Sequence, residues 1–402
     1  MVGGIRASAL AAEFGTPVVV YCERTLREAA RAYRAAAPDA LVVYSVKAFP
    51  NLALLRLFAE EGLGADVSTL GELEFASRAG IGDDRIVVHG NNKTDEELAA
   101  AATARFVVLD ALDEVARAAE AGVRRVLVRV TPGIDAETHD AIKTAHHGSK
   151  FGLPPDQTLE ALARAREAGL DAAGLHVHIG SQLLEADAAR MTVDWLGAFA
   201  ASCRAELDWT PRVVDLGGGL GIRYVEDEQP PSVSEFVGTL TDALARAWRL
   251  HELPLPELVL EPGRSLVGHA AYTLYRVGVV KHASASTTYV AIDGGMSDNP
   301  RPQLYGARYT AALANRFEEA TSGSYAVCGK HCESGDVLID RVALPEPGRG
   351  DLLAVPATGA YTLGMGSNYN GVPRPAAVLV AEGHARLIRR RESLDDLLAV
   401  EP

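Results

Sequence analysis

Eight short segments, nearly all Val, Leu, Ile or Ala, recur through the first two thirds of this 402-residue chain, at residues 41–47, 64–67, 86–89, 106–109, 125–130, 174–179, 212–216 and 257–261. Strands with so few polar positions are buried on both faces, as strands of a parallel sheet are. Between them run Ala-, Glu- and Arg-rich stretches whose apolar residues fall three and four apart, at 51–61, 70–79, 95–103, 112–121, 157–168, 185–207 and 234–250. That spacing predicts helices. Eight strand–helix units in succession predict an α/β fold, a closed (β/α)8 TIM barrel. An open doubly wound sheet is the alternative that the count alone leaves standing.

The pattern changes near residue 268. Segments 270–281, 288–292, 324–328, 336–341, 351–355, 376–381 and 385–390 predict strands, separated by turns such as Asp293-Gly294-Gly295. Only 305–317 reads as helical. An early apolar run at 17–21 is expected to join these strands. The expected organisation is a barrel over 25–268 and a second, mainly β domain formed by 1–24 and 269–402.

Bulk properties narrow the partners. With 39 basic and 53 acidic residues the net charge is -14, which argues against nucleic acid. Cys22, Cys203, Cys328 and Cys332 match neither a zinc pattern nor a disulfide framework. No apolar run approaches the length of a membrane span, and the N-terminus does not read as a signal peptide. The expectation is a cytoplasmic protein with no membrane, nucleic-acid or metal partner.

Barrel enzymes carry their chemistry at the C-terminal ends of the strands. Polar residues collect there. Lys47 closes the first candidate strand, Asp66 the second, and His89 follows the third. His178 and Ser181 end the sixth, Asp215 and Gly217-Gly218-Gly219 the seventh, and Glu261, Gly263 and Arg264 the eighth. A lone lysine in such a place is as readily a rim residue with a buried stem. The triglycine shifts the weight. Three successive glycines have no packing use and cost chain entropy, but they let several backbone N–H groups converge on an oxyanion. No Gly-Lys-Ser/Thr follows them, and no Gly-x-Gly-x-x-Gly opens an early strand–helix unit, so a small phosphate-bearing cofactor suits better than ATP or NAD.

A phosphate cup with a lysine amine points to pyridoxal 5'-phosphate, whose aldehyde forms an imine with an amine. Glu261 is the candidate carboxylate for a protonated ring nitrogen. His178 is placed to stack on the ring or orient the imine, and Ser181 to bond the phosphate. His176 reads as an ordinary satisfied core histidine. In the second domain, Arg301 and Tyr305 present a guanidinium and a phenol. Arg264 and Arg301 can each clamp a carboxylate. Glu333, beside Cys332, suits an ammonium, and Tyr361 follows a flexible turn. Asn368-Tyr369-Asn370-Gly371 reads as a polar turn.

The ordered set of motifs resembles the diaminopimelate decarboxylases, which are similar in fold to alanine racemase and eukaryotic ornithine decarboxylase. It comprises Tyr44-Ser45-Val46-Lys47-Ala48, Ser149-Lys150-Phe151-Gly152, the run from His176 to Gln182, the triglycine, Glu261-Pro262-Gly263-Arg264, Asp293-Gly294-Gly295-Met296, Arg301-Pro302-Gln303-Leu304-Tyr305, the Cys332–Asp336 run and Gly359-Ala360-Tyr361. The resemblance spans nearly the whole chain. It implies decarboxylation of meso-2,6-diaminopimelate to L-lysine by a homodimer with shared sites. Lys47 is implied as the Schiff-base lysine and His178 as the residue stacked on the ring. Ser181 and the glycines are implied at the phosphate, with Asp66, Gly263 and Arg264 also at the cofactor, and Glu261 at the pyridine nitrogen. Arg264, Arg301 and Tyr305 are implied at the distal end of the substrate. Cys332 and Glu333 are implied to reach the site from a neighbouring subunit, Cys332 for proton transfer, and Tyr361 to touch cofactor and substrate. Phe49 stands where many members have asparagine. The rival readings are decarboxylases of ornithine, arginine, carboxynorspermidine or a carrier-bound amino acid, then an amino-acid racemase, then a non-enzymatic cofactor-binding protein.

Overall fold

The computed structural model describes residues 3–132, 149–178 and 180–402, which fall into two compact units. The first strand, β1 (Val18–Cys22), belongs to one unit. The next eight belong to the other: β2 (Leu41–Ser45), β3 (Gly64–Val67), β4 (Ile86–Val88), β5 (Phe106–Leu109), β6 (Arg125–Arg129), β7 (Asp171–His176), β8 (Val213–Asp215) and β9 (Glu257–Leu260).

These eight close into a parallel barrel, in which β2 pairs with both β3 and β9. The open doubly wound sheet is thereby ruled out. Val43, Val87, Phe106, Val108, Leu127, Ala173, Val213 and Val259 form one buried cluster drawn from seven of its strands. Each of these side chains except Ala173 contributes roughly 1.5–3 kcal/mol on burial. The helices between the strands begin where side chains can accept their free N–H groups. Asn51 accepts from Ala53 and Leu54 at the start of Leu52–Glu60, and capping boxes at Thr94/Glu97 and Ser232/Glu235 open Asp95–Ala100 and Val233–Leu250. Helix Val233–Leu250 buries Phe236, Val237, Leu240, Ala243, Leu244, Ala247 and Trp248, a stripe of helical spacing. The predicted strand at 174–179 begins and ends three residues earlier than its apolar letters suggest; its expected last residue, Ile179, lies outside the described residues.

The second unit comprises Met1–Glu28, Ile222–Gln229 and Leu266–Pro402. Its strands are β1 and then β10 (Ala271–Ser284), β11 (Thr287–Ile292), β12 (Ala312–Leu313), β13 (Gly323–Cys328), β14 (Val337–Leu344), β15 (Leu352–Pro356), β16 (Ala376–Ala381) and β17 (His384–Arg389). The sheet order is β14-β13-β11-β10-β1-β16-β17, with β15 pairing both β10 and β12. The early strand thus sits inside the sheet, antiparallel to β10 and parallel to β16. The helix expected over 305–317 is a misreading. The helix is Arg301–Tyr305, with Pro302 in its first turn, and Gly306 ends it at φ +60. Beyond it Tyr309, Ala311 and Leu313 are buried at a period of two, the mark of extended chain.

Candidate active site

Four barrel strands deliver their polar end residues to one point. Strand register sets His176 opposite Asp215, and Asp215 opposite Val259, two residues before Glu261. His89 follows β4. Among the described residues, one ligand atom each from His89, His176, Asp215 and Glu261 lies within 4.8 Å of the others, and all four residues are buried. His89 Nε2 contacts Glu261 Oε1, and His176 Nε2 lies 3.6 Å from Glu261 Oε2. The two imidazole rings meet edge to face, 4.8 Å between centroids.

This floor is short of hydrogen bonds. Both ring nitrogens of His176, His89 Nε2, Asp215 Oδ2 and Glu261 Oε1 lack a bond of good geometry. A buried polar atom left so costs about 1–3 kcal/mol, and such atoms are few in a native protein. Five in one place mark a surface made to receive a ligand's polar atom. Its charge is defined. Burial alone would raise the Glu261 carboxyl, but the adjacent His89 and His176 outweigh that and hold it well below its ordinary range. Burial and the negative charge of Glu261 push the Asp215 carboxyl well above its own. Of the two carboxyls, Glu261 carries the charge and Asp215 the proton. Burial lowers His176 to about 3, against the pull of Glu261, so its ring is neutral. A buried carboxylate calls for a cation. A protonated pyridine nitrogen meets that need, and two imidazoles with two carboxylates are also a chelating set.

Lys47 lies just past β2, on a 3-10 turn from Val46 to Ala48, with its side chain half exposed. Its Nζ is 3.5 Å from Asp66 Oδ2. Asp66 is buried on β3, opposite Ser45 in the ladder, and accepts the Ser45 hydroxyl. His178 is half buried. Burial, then the positive charge of Lys47, hold its ring well below the usual histidine range, hence neutral.

The triglycine is packed as tightly as its composition implies. Gly217 takes φ +65 and Gly219 φ +114, which side chains other than hydrogen rarely allow. A Cβ on Gly217 would stand 2.7 Å from His178 Nδ1, and one on Gly218 would stand 2.4 Å from the Glu261 carbonyl oxygen. The Gly217 N–H donates to Asp215 Oδ1 at 2.8 Å. The glycine turn is therefore packed against both His178 and the Glu261 backbone. Gly263 is buried between Glu261 and Arg264. Arg264 Nη2 donates to Ser181 Oγ at 2.9 Å, joining the loops after β7 and β9.

The other candidates lie in the sheet unit. Arg301 is buried, donates to the Tyr309 hydroxyl at 2.7 Å, and lies over the Tyr224 ring at 4.5 Å. Tyr305, at the other end of the same helix, is exposed. Cys332 and Glu333 are exposed neighbours, and Glu333 accepts the Tyr369 hydroxyl. Tyr361 is half buried at φ +57, a strained setting for an aromatic residue.

The expectation for His176 does not hold: it is buried, but neither ring nitrogen is bonded, and it belongs to the floor. Sequence reasoning gave His89 no role, and it left out Ser45 and Arg129. Arg129 Nη1 lies 3.6 Å from Asp110 Oδ1 in the same unit. The available signal was the one that found Lys47, a polar residue at the end of an apolar strand.

The barrel residues fit pyridoxal 5'-phosphate. The floor has an ionised carboxylate and unbonded atoms for a ring nitrogen, the glycine turn is packed too closely to its neighbours to admit a side chain and so presents bare backbone, and Lys47 presents an amine. Comparison with known proteins agrees. Residues 23–268 match the family model described as pyridoxal-dependent decarboxylase, pyridoxal binding domain. The diaminopimelate decarboxylase of Bacillus subtilis (strain 168) is 41% identical over 414 residues, covering 100% of this chain and 94% of that one. That of Actinosynnema pretiosum subsp. auranticum is 44% identical over 413 residues, covering 100% and 92%. The crystal structure of diaminopimelate decarboxylase from M. jannaschii in complex with L-lysine superposes with a TM-score of 0.92 at 32% identity, covering 100% of this chain and 99% of that one.

Proposed function

The chain belongs to the pyridoxal-dependent decarboxylases, among the diaminopimelate decarboxylases, and from that membership we propose that it removes carbon dioxide from meso-2,6-diaminopimelate, at its D centre, to give L-lysine. The observation that carries this reading is identity above 40% with such enzymes over alignments that cover the whole chain.

Pyridoxal 5'-phosphate, when bound, supplies an aldehyde carbon that captures an amine and a protonated ring that draws in the electron pair left by departing carbon dioxide. The protein's part is to hold, charge and exclude. Lys47 is the amine that would hold the cofactor's aldehyde. Asp66, beside its Nζ, keeps it oriented. Glu261, ionised in a buried setting, stabilises positive charge at the ring nitrogen, which makes the ring a better sink. His178, neutral, would stack on the ring without opposing that charge. The glycine turn, through the N–H groups of Gly218 and Gly219 with that of Gly217 held by Asp215, and the Ser181 hydroxyl would receive the phosphate, with Gly263 lining the cofactor and Arg264 holding Ser181. Arg264 and Arg301, with Tyr305, take the distal carboxylate, and Glu333 takes the distal ammonium. Tyr361 contacts cofactor and substrate, and Cys332 returns the proton that replaces the lost carboxylate.

Cys332 and Glu333 are assigned to the site of a neighbouring copy, so the working enzyme is a homodimer. We place it in the cytoplasm, in keeping with four free cysteines; no helix among the described residues is long and apolar enough to cross a membrane. The test is carbon dioxide release by cofactor-loaded protein from a panel of amino acids. Release from meso-diaminopimelate, with L-lysine as product, supports the reading. Preference for ornithine or arginine would replace it.

A further inference from the structure

The turn at 368–371 reads from the sequence as punctuation, but the structure ties it to the two residues assigned to proton transfer and ammonium binding. The Tyr369 hydroxyl donates to Glu333 Oε1, and Asn370 Oδ1 accepts the Cys332 backbone N–H at 3.0 Å. Adjacent residues of one turn hold adjacent residues of another.

The arrangement is anchored from below. Asp336 is buried and accepts from the Met296 N–H at 2.7 Å, the His331 N–H at 3.0 Å and His331 Nδ1 at 2.8 Å. The His331 ring so fixed stacks on Tyr369, with 5.9 Å between centroids and 27° between planes. Asn368 Nδ2 donates to Glu392 Oε2 at 2.6 Å and to the Val372 carbonyl at 3.1 Å, which ties down the base of the turn. Asn370 adopts φ +54, a conformation that costs energy and persists where the surroundings impose it.

Glu333 and Tyr369 are themselves exposed. A polar pair at a surface contributes little to stability. A buried aspartate, a stacked ring and a strained turn all directed at such a pair point to orientation as its use. A glutamate carboxylate on a flexible stem samples many directions, and a hydroxyl on one oxygen fixes it while leaving the charge in place. The neighbouring Glu333 and Cys332 disfavour ionisation of the phenol, so Tyr369 stays a donor.

We infer that Tyr369 is a positioning residue for specificity: it aims the Glu333 carboxylate at the ammonium on the far end of a diamino-acid substrate. The inference rests on the reading of Glu333 given above and deepens it. Its mark is an effect on binding of ligands that carry the far ammonium, with the chemical step spared.

The experiment uses cofactor-loaded wild type, Tyr369→Phe, Glu333→Gln and the double variant. It measures carbon dioxide release from meso-diaminopimelate and from the analogue lacking the far amine, and calorimetric affinity for L-lysine. For Tyr369→Phe we expect KM for diaminopimelate to rise about tenfold, as loss of one hydrogen bond to a charged group implies, with kcat within about twofold. Lysine affinity falls by a similar factor, the analogue is unaffected, and the double variant is no worse than Glu333→Gln. Unchanged KM and lysine affinity, equal loss on the analogue, or multiplying losses in the double variant would each overturn the inference. Wild type that binds lysine but releases no carbon dioxide defeats the proposed function alone, and the lysine titrations then decide the role of Tyr369.

Discussion

Lys47 Nζ lies 3.5 Å from Asp66 Oδ2, the same oxygen that accepts the Ser45 hydroxyl, while Asp66 Oδ1 faces His89 Nε2 at 3.7 Å. One buried carboxylate therefore links the exposed amine to the floor. Lys47→Ala is expected to abolish turnover and the visible absorbance that appears when pyridoxal phosphate is added. Asp66→Asn should retain the band but lose about tenfold in kcat, since the amine keeps its tether and loses its orienting charge. A Lys47→Ala protein that still develops the band would remove this lysine from the cofactor site.

Glu261→Gln keeps shape and removes charge. Loss of a fixed charge aimed at the reacting system typically costs about 10²- to 10³-fold in kcat. We expect a loss of that order with KM changed little, measured by carbon dioxide release and with folding checked by circular dichroism. A variant within tenfold of wild type would show that the ring nitrogen needs no carboxylate here.

His176 gives a pH signature in stability. Its folded value is about 3, against 6.5 for an ordinary histidine. The unfolded chain therefore binds the proton that the folded one refuses, and the His176 contribution is full above pH 6.5 and lost as pH falls toward 3. His176→Phe removes this dependence. Relative to wild type, its unfolding free energy should rise by about 1.4 kcal/mol for each pH unit below 6.5. Urea melts between pH 4 and 7 measure the difference. Parallel curves would mean that the ring is charged or exposed in solution.

Shared sites predict complementation. Lys47→Ala and Cys332→Ala should each be nearly inactive alone. Co-expressed, half of randomly assembled dimers pair unlike chains, and each of those has one intact site, so about a quarter of wild-type activity should return. No recovery on co-purified mixed dimers would place both residues in the same subunit's site.

The strand-end rule made much of the barrel site visible in the sequence. Lys47, Asp66 and Glu261 each close or follow an apolar run, and the triglycine has no use in packing. His176 was harder, because its character depends on register. Only when β7 meets β8, and β8 meets β9, does its Nε2 come to face Glu261, with neither ring nitrogen bonded. A lone letter between Leu175 and Val177 does not carry that. The stretch after Tyr305 misled for another reason. Alanines suit either period, and the alternate burial of Tyr309, Ala311 and Leu313 comes with contacts distant in sequence, Tyr309 against Tyr224 and Leu313 opposite Leu353 of β15. Tyr369 looked like turn chemistry, and its bond to Glu333 is a contact between loops that no local pattern announces.

The place of β1 inside its sheet bears on how the protein is made. Val18–Cys22 pairs on one side with residues near 272 and on the other with residues near 378. At ribosomal speeds of roughly 5–20 residues per second, this all-apolar ribbon waits tens of seconds for its second neighbour. The barrel strands, whose partners are all made by residue 260, can meanwhile close. A nascent chain thus holds a sticky, unpaired edge until residue 380 has been made. Slow elongation late in the message would lengthen that exposure, and helpers that shield apolar segments would matter most for the opening residues of the chain.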